Sequence, residues 1–154
     1  MSGILASGAA LMGVTDGSAA AAGVVGQIIQ STASGVTLTS ATPVNITSIT
    51  LTPGDWDIYG SLLVTLSAGT TATIIVGSLS LTTGTVAGIT INESYFELSS
   101  ATYTGPGAGV PIITAIPNVV NSVSVNTIYY LVAQANFAVS TASAGGLIFA
   151  RRVR

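Results

Sequence analysis

Residues 56–66 read Trp-Asp-Ile-Tyr-Gly-Ser-Leu-Leu-Val-Thr-Leu. Trp56, Ile58, Leu62, Val64 and Leu66 share one parity around Gly60, which is the period of a strand with one buried face. The run follows Thr52-Pro53-Gly54-Asp55, a sequence with turn chemistry. A second stretch repeats the pattern: Tyr129, Leu131, Ala133, Ala135, Phe137 and Val139 alternate with a face bearing Gln134 and Asn136. Working outward, the β-branched and aromatic runs predict strands over residues 24–30, 36–39, 44–51, 56–66, 73–81, 89–91 with 95–98, 110–116, 123–140 and 147–153. Ala68-Gly69-Thr70, Thr83-Gly84-Thr85, Gly105-Pro106-Gly107-Ala108-Gly109, Pro117-Asn118 and Gly145-Gly146 read as breaks between them. Within residues 44–51 the apolar parity flips between Ile46 and Ile49, which predicts a bulge. The fold class is all-β, an antiparallel sandwich.

Residues 73–81 differ, because Ile74, Ile75 and Val76 make both faces apolar. A strand of that kind is covered on both sides. In a chain of 154 residues the second cover is expected from a neighbouring subunit. Burying one extra Ile or Val contributes roughly 1.5–3 kcal/mol, so Ile74, Ile75 and Val76 are candidate interface residues of an oligomer. Residues 1–23 form a separate compositional unit of Gly, Ala and Ser with scattered Ile4, Leu5, Leu11 and Met12. We read this unit as an arm with too little to bury by itself, and residues 24–154 as the β domain.

Composition excludes several classes. Eight residues are charged, 5% of the chain, and Ala, Gly, Ser and Thr supply 78 of the 154 positions. A mean hydropathy of +0.75 is too apolar for a charge-rich disordered chain. Neither His nor Cys is present, so zinc modules and disulfide scaffolds are out. Three Arg and an isoelectric point near 4.4 leave no basic surface for nucleic acid. The longest apolar run, residues 19–29, is broken by Gly23, Gly26 and Gln27, short of the roughly 20 residues a membrane helix needs. Residues 1–14 lack the basic start of a secretory signal. Aromatic residues are too few for the two girdles of an outer-membrane barrel. A surface so poor in charge is expected to be covered by copies of itself or by a larger assembly.

Catalytic chemistry is thin. With His, Lys and Cys absent, only the carboxylate pairs Asp55/Asp57 and Glu93/Glu97 remain. Asp55 and Asp57 flank Trp56, so both point away from its ring. Their strand spacing of roughly 6–7 Å is met by every D-x-D on a strand. Asp55 reads as the end of a Pro-Gly-Asp turn and Asp57 as an outward polar residue; a Ca2+ site there would need further converging oxygens. Gly105 to Gly109 lacks the helix and Lys of a phosphate loop. Neither a catalytic residue nor a cofactor is assigned. Arg151, Arg152 and Arg154 hold all the positive charge, and they read as partners of the few carboxylates, across a subunit interface in the case of Arg151 and Arg152.

Three segments together carry a resemblance. Thr50-Leu51-Thr52-Pro53-Gly54-Asp55-Trp56-Asp57-Ile58-Tyr59-Gly60 is similar to a recurrent strand of small bacteriophage virion proteins. Tyr129 to Phe137 followed by Gly146 to Arg154 resembles their closing hairpin, and Ala21 to Gln27 their opening segment. The match spans about residues 20–154. The resemblance implies a jelly-roll sandwich of the tumour-necrosis-factor/C1q kind, assembled as a homotrimer on the outer surface of a phage particle. No catalytic residues accompany the motif. The expected function is that of a virion structural protein, a capsid decoration or short head fibre, attached to another virion protein through residues 1–23. The arm shows neither the heptads nor the β-helical repeat of a long fibre shaft. The alternative is a receptor-binding knob of a tail fibre or tail tip, with Tyr103 in the 101–110 loop touching a host receptor. A carbohydrate-active enzyme or a carbohydrate-binding module is the rival from another class. The module would expose aromatics on one face, whereas Trp56 shares the parity of Ile58 and Val64 and marks the core.

Overall fold

The computed structural model describes residues 18, 20–99, 102–104 and 111–154. The chain is an antiparallel β-sandwich. Its strands are β1 (Ile28–Thr37), β2 (Val44–Leu51), β3 (Gly54–Leu66), β4 (Thr71–Ser80), β5 (Ser94–Leu98), β6 (Tyr103–Thr104), β7 (Pro111–Val123), β8 (Thr127–Ala138) and β9 (Ala142–Arg152). One sheet has the order β1-β9-β3-β7, the other β2-β8-β4-β5, with β6 also paired to β4. Trp56, Ile58, Leu62, Val64 and Leu66 of β3 are all buried, as are Tyr129, Leu131, Ala133 and Ala135 of β8. Those two inward faces close one core between the sheets. The alternation ends at Val139, which is 87% exposed because β8 stops at Ala138.

Several expected breaks are irregularities inside longer strands. Residues 28–30 and 36–37 of the expected strands merge into β1, with residues 24–27 in a turn before it, and Ser34 and Gly35 are the extra residues of a bulge opposite Gly145. Pro117-Asn118 does not end a strand; the pair bulges opposite Tyr59 in β7. Since β7 lies at a sheet edge, a residue without an N–H is tolerated there. Gly145-Gly146 lies within β9 rather than before it. A Cβ on Gly146 would stand 2.4 Å from the Ser61 carbonyl oxygen and 2.6 Å from Leu131 Cδ2, so its role is close approach rather than a turn. Of the expected 123–140 strand, Val123 is the last residue of β7 and the rest is β8, which starts at Thr127 and ends at Ala138. Residues 89–91 belong to a loop. The bulge expected in residues 44–51 is present, at Ile46.

The doubly apolar strand has a different explanation from the expected one. A bulge at Thr73 shifts the register between Ala72 and Ile74, so Ile75 faces the core and Ile74, Val76, Ser78 and Ser80 face outward. The loop of residues 81–93 then folds back over that outer face. Its Ala87 N–H donates to buried Ser78 Oγ at 2.9 Å. Across β8, Asn45 of β2 donates to Thr83 Oγ1 at 2.6 Å and accepts from Gly84 N–H at 2.7 Å. The far wall of the loop is pinned by Glu93, which accepts from the Leu81 N–H at 2.7 Å. Beneath this cover Val132 and Ser78 are fully buried. The chain's own loop thus covers this face of β4 at Ser78, while Ile74 stays half-buried.

Candidate functional site: a carboxyl-terminal arginine latch

Strand alternation separates the neighbours in Arg151-Arg152-Val153-Arg154. Arg152 stands opposite Trp56 in the β3–β9 ladder and is turned inward, while Arg151 stands opposite Asp57 on the outer face. Arg152 is only 5% exposed, and its guanidinium lies 4.4 Å from the centre of the Trp56 ring. Its Nε donates to Gln27 Oε1 at 3.1 Å, and its two terminal nitrogens donate to the Pro53 carbonyl and to Thr52 Oγ1, each at 2.6 Å. The backbone repeats the clamp: Arg152 N–H donates to the Gln27 carbonyl and Gly26 N–H to the Arg152 carbonyl, both at 2.9 Å. The Trp56 indole donates to the Thr52 carbonyl at 2.9 Å, closing the turn around the cation.

Only glycine fits in that turn. Gly54 has φ +144°, and a Cβ there would stand 1.8 Å from a terminal nitrogen of Arg152. The Pro-Gly-Asp signature is thus shaped by the guanidinium that it wraps.

The arginines were expected to pair with carboxylates. Among the described residues one ion pair forms, between Arg154 and Asp55. The Asp55 carboxyl is held below its ordinary range by a hydrogen bond from Ser122 and then by Arg154. Arg152 is different: its partners are an amide, a carbonyl, a hydroxyl and an aromatic face. Neutral dipoles hold this cation, and five N–H donors in a planar fork suit that arrangement.

The remaining candidates are dispersed. Ile75 and Val76 are buried within the single chain together with Arg152, while Ile74 is half-buried and Arg151 exposed. Of the five residues expected at a subunit interface, only those last two retain surface for a neighbour. Asp55 and Asp57 share the outer face, with Asp55 engaged by Arg154. Glu93 serves the loop over β4 and Glu97 is exposed on β5. No group of three or more metal-binding side chains occurs among the described residues. Tyr103 lies in β6, half-buried against the core. Ile4, Leu5, Leu11 and Met12 lie outside the described residues.

Tyr129 forms a second buried polar centre. Its hydroxyl donates to the Asn92 carbonyl at 2.7 Å and accepts from Asn121 Nδ2 at 2.8 Å. Burial is the main reason its pKa is pushed up to about 12 from 10.0, against the hydrogen bond from Asn121 and with Glu93 adding to the rise. Between those values the unfolded chain binds fewer protons than the folded one. The contribution is therefore complete below pH 10 and is lost as pH rises through 12. Tyrosinate absorbance should show one of the five tyrosines titrating last, together with alkaline unfolding. Tyr129→Phe should abolish that late step; five indistinguishable titrations would contradict the assignment.

Sequence reasoning passed over one feature. Tyr59 and Phe149 stack on the outer face of the β1-β9-β3-β7 sheet, with ring centres 4.9 Å apart and planes 12° apart. The parity of Tyr59, Ser61 and Leu63, opposite to that of Trp56, carried the signal. No protein-family model, curated protein or solved structure matches the chain.

Proposed function

We propose that the chain is a structural protein of a bacteriophage virion: a homotrimeric jelly roll on the outer surface of the particle, attached through residues 1–23. The observation that carries this reading is a convergence. The three separate segments that resemble phage virion proteins meet at one point, since Arg152 of the closing segment binds Gln27 of the opening one and Thr52, Pro53 and Trp56 of the middle one. A motif made of interlocking parts marks a shared fold better than three unrelated stretches would. The strand order supports the jelly roll, because β1-β9-β3-β7 facing β2-β8-β4-β5 is what two intertwined Greek keys generate. The role is assembly rather than catalysis, and the low-charge Ser/Thr surface suits a place in a repeating array. Capsid decoration or a short head fibre fits better than a tail knob.

The test is to add full-length protein, and protein lacking residues 1–22, to phage particles without it. Co-sedimentation of the full chain, loss of binding on truncation, and labelling over the head by electron microscopy are the expected results. Binding of the truncated protein at full occupancy would place the anchor on the β domain. Absence of the full chain from every particle would sink the virion reading.

A further inference from the structure

The two ends of the sandwich differ in charge. Asp55, Asp57 and the three Arg stand at the end where β1 begins and β9 finishes, with Glu93 just before β5. Glu97 lies along β5, opposite Val76. At the other end, the connecting segments 38–43, 67–70 and 139–141 are rich in Ser and Thr and carry no charged residue. Arg152 holds Gln27, the root of the arm, at the charged end. The uncharged end is therefore the one turned away from whatever the arm grips.

A cleft of about 280 Å3 opens at this uncharged end, between the loop of residues 38–43 and the paired ends of β4 and β8. Its wall is fixed. Ser40 Oγ accepts from the Phe137 N–H at 2.9 Å and donates to the Phe137 carbonyl at 2.7 Å. The Ala41 N–H donates to the Ala135 carbonyl at 2.9 Å, which holds Ala41 at φ +61°, a conformation that residues with a side chain rarely adopt. Three groups in the cleft are uncommitted. Among the described residues the hydroxyls of Thr71 and Thr73 and the amide of Asn136 have no hydrogen-bond partner, and Asn136 Oδ1 is enclosed. A terminal amide torsion is broad, so Asn136 turns without losing a protein contact and presents either its donor or its acceptor.

We propose that this cleft binds a neutral saccharide unit. The inference rests on the virion reading above and gives the outward end of the domain a ligand. A fixed concave wall with a few convergent polar groups is the form of a small-ligand site. Every uncommitted group there is neutral and either donates or accepts, as the hydroxyls of a sugar ring do. An ionised ligand would find no counter-charge in the cleft and would lose its hydration without compensation. Phe137 gives its ring to the core, so the site lacks an aromatic platform and a single sugar binds weakly. Copies displayed together on one particle make up the difference by avidity.

Amide NMR spectra of the isotope-labelled full chain, titrated with the methyl glycosides of glucose, galactose and N-acetylglucosamine, test this. At least one glycoside should bind with millimolar affinity. It should shift the amides of residues 40–41, 71–73 and 136–138 in a saturable way and leave those of Gln27 and Arg152 in place. Asn136→Leu should weaken binding about tenfold, the worth of one hydrogen bond, with melting unchanged. Should that variant fail to fold, Thr73→Val is the second, with an expected loss of about threefold. Glucuronate, which adds a carboxylate to the ring, should bind no better than the glucoside. No saturable shift with any neutral glycoside, shifts that map away from the cleft, wild-type affinity in the folded variant, or tighter binding of glucuronate would each overturn the proposal. The two readings fail separately. A chain that binds sugar but labels no particle defeats the virion role and spares the cleft, while one that decorates particles and responds to no glycoside does the reverse.

Discussion

Replacing Arg152 with Ala should lower the free energy of unfolding by about 3–5 kcal/mol. Truncation leaves the Pro53 carbonyl, Gln27 Oε1 and Thr52 Oγ1 without their donor. A hydrogen bond to a charged group contributes about 1.5–3 kcal/mol, less at the exposed Thr52 and Pro53, where water takes its place, and less than additively. It also removes the cation over Trp56, which contributes about 0.5–2 kcal/mol. Urea unfolding followed by circular dichroism measures the sum. Arg152→Lys should restore only part of it, because an ammonium keeps the charge but not the planar fork. The loss should be equal at pH 4 and pH 7, since no carboxylate partners this cation. A loss that shrinks in acid would reveal a hidden ion pair, and one below about 1 kcal/mol would mean a solvated guanidinium.

Trp56→Ala should have a comparable effect, about 3–5 kcal/mol. The indole is fully buried at the core end of β3, packed under Arg152 and bonded to the Thr52 carbonyl. Its removal opens a cavity and strips the guanidinium of its platform at once. Because the two side chains touch, the double variant should lose less than the sum of the single ones, with a coupling of about 0.5–2 kcal/mol. As the chain's one tryptophan, Trp56 also reports on itself. Native emission should be blue-shifted and resist an aqueous quencher. Ready quenching with wild-type melting in the variant would put the ring at the surface.

The core was legible because it depends on parity. Trp56 to Leu66 and Tyr129 to Ala135 have enough alternating apolar residues for the buried face to follow without knowledge of neighbours. The arginine latch was half legible. Its parts are conspicuous in the sequence, but charge counting directed all three Arg to carboxylates, whereas strand alternation turned Arg152 inward towards neutral acceptors. The loop over β4 left no local trace. Its hold across β8 is Asn45, separated from Thr83 by 38 positions, and no spacing rule links them. Parity puts Tyr59 on the outer face, but its stacking on Phe149 was silent, because the two are ninety residues apart in sequence and adjacent only through the β3–β9 register.

By itself, then, the sequence determined the fold class, the inward face of β3 and most of that of β8, and the exclusion of chemistries that need His, Cys or Lys. These follow from side-chain period and composition, which act locally. Only the tertiary structure decided which outer face the chain covers for itself, which arginine is buried, and whether Pro117 and Gly145-Gly146 end strands or bend and thin them. Those outcomes depend on which strands become neighbours, and in an antiparallel sandwich the pairing is set by segments distant in sequence. The doubly apolar run at Ile74 to Val76 shows the difference most plainly. Its composition demanded a second cover, and only the path of the chain could say that a loop of its own supplies part of it.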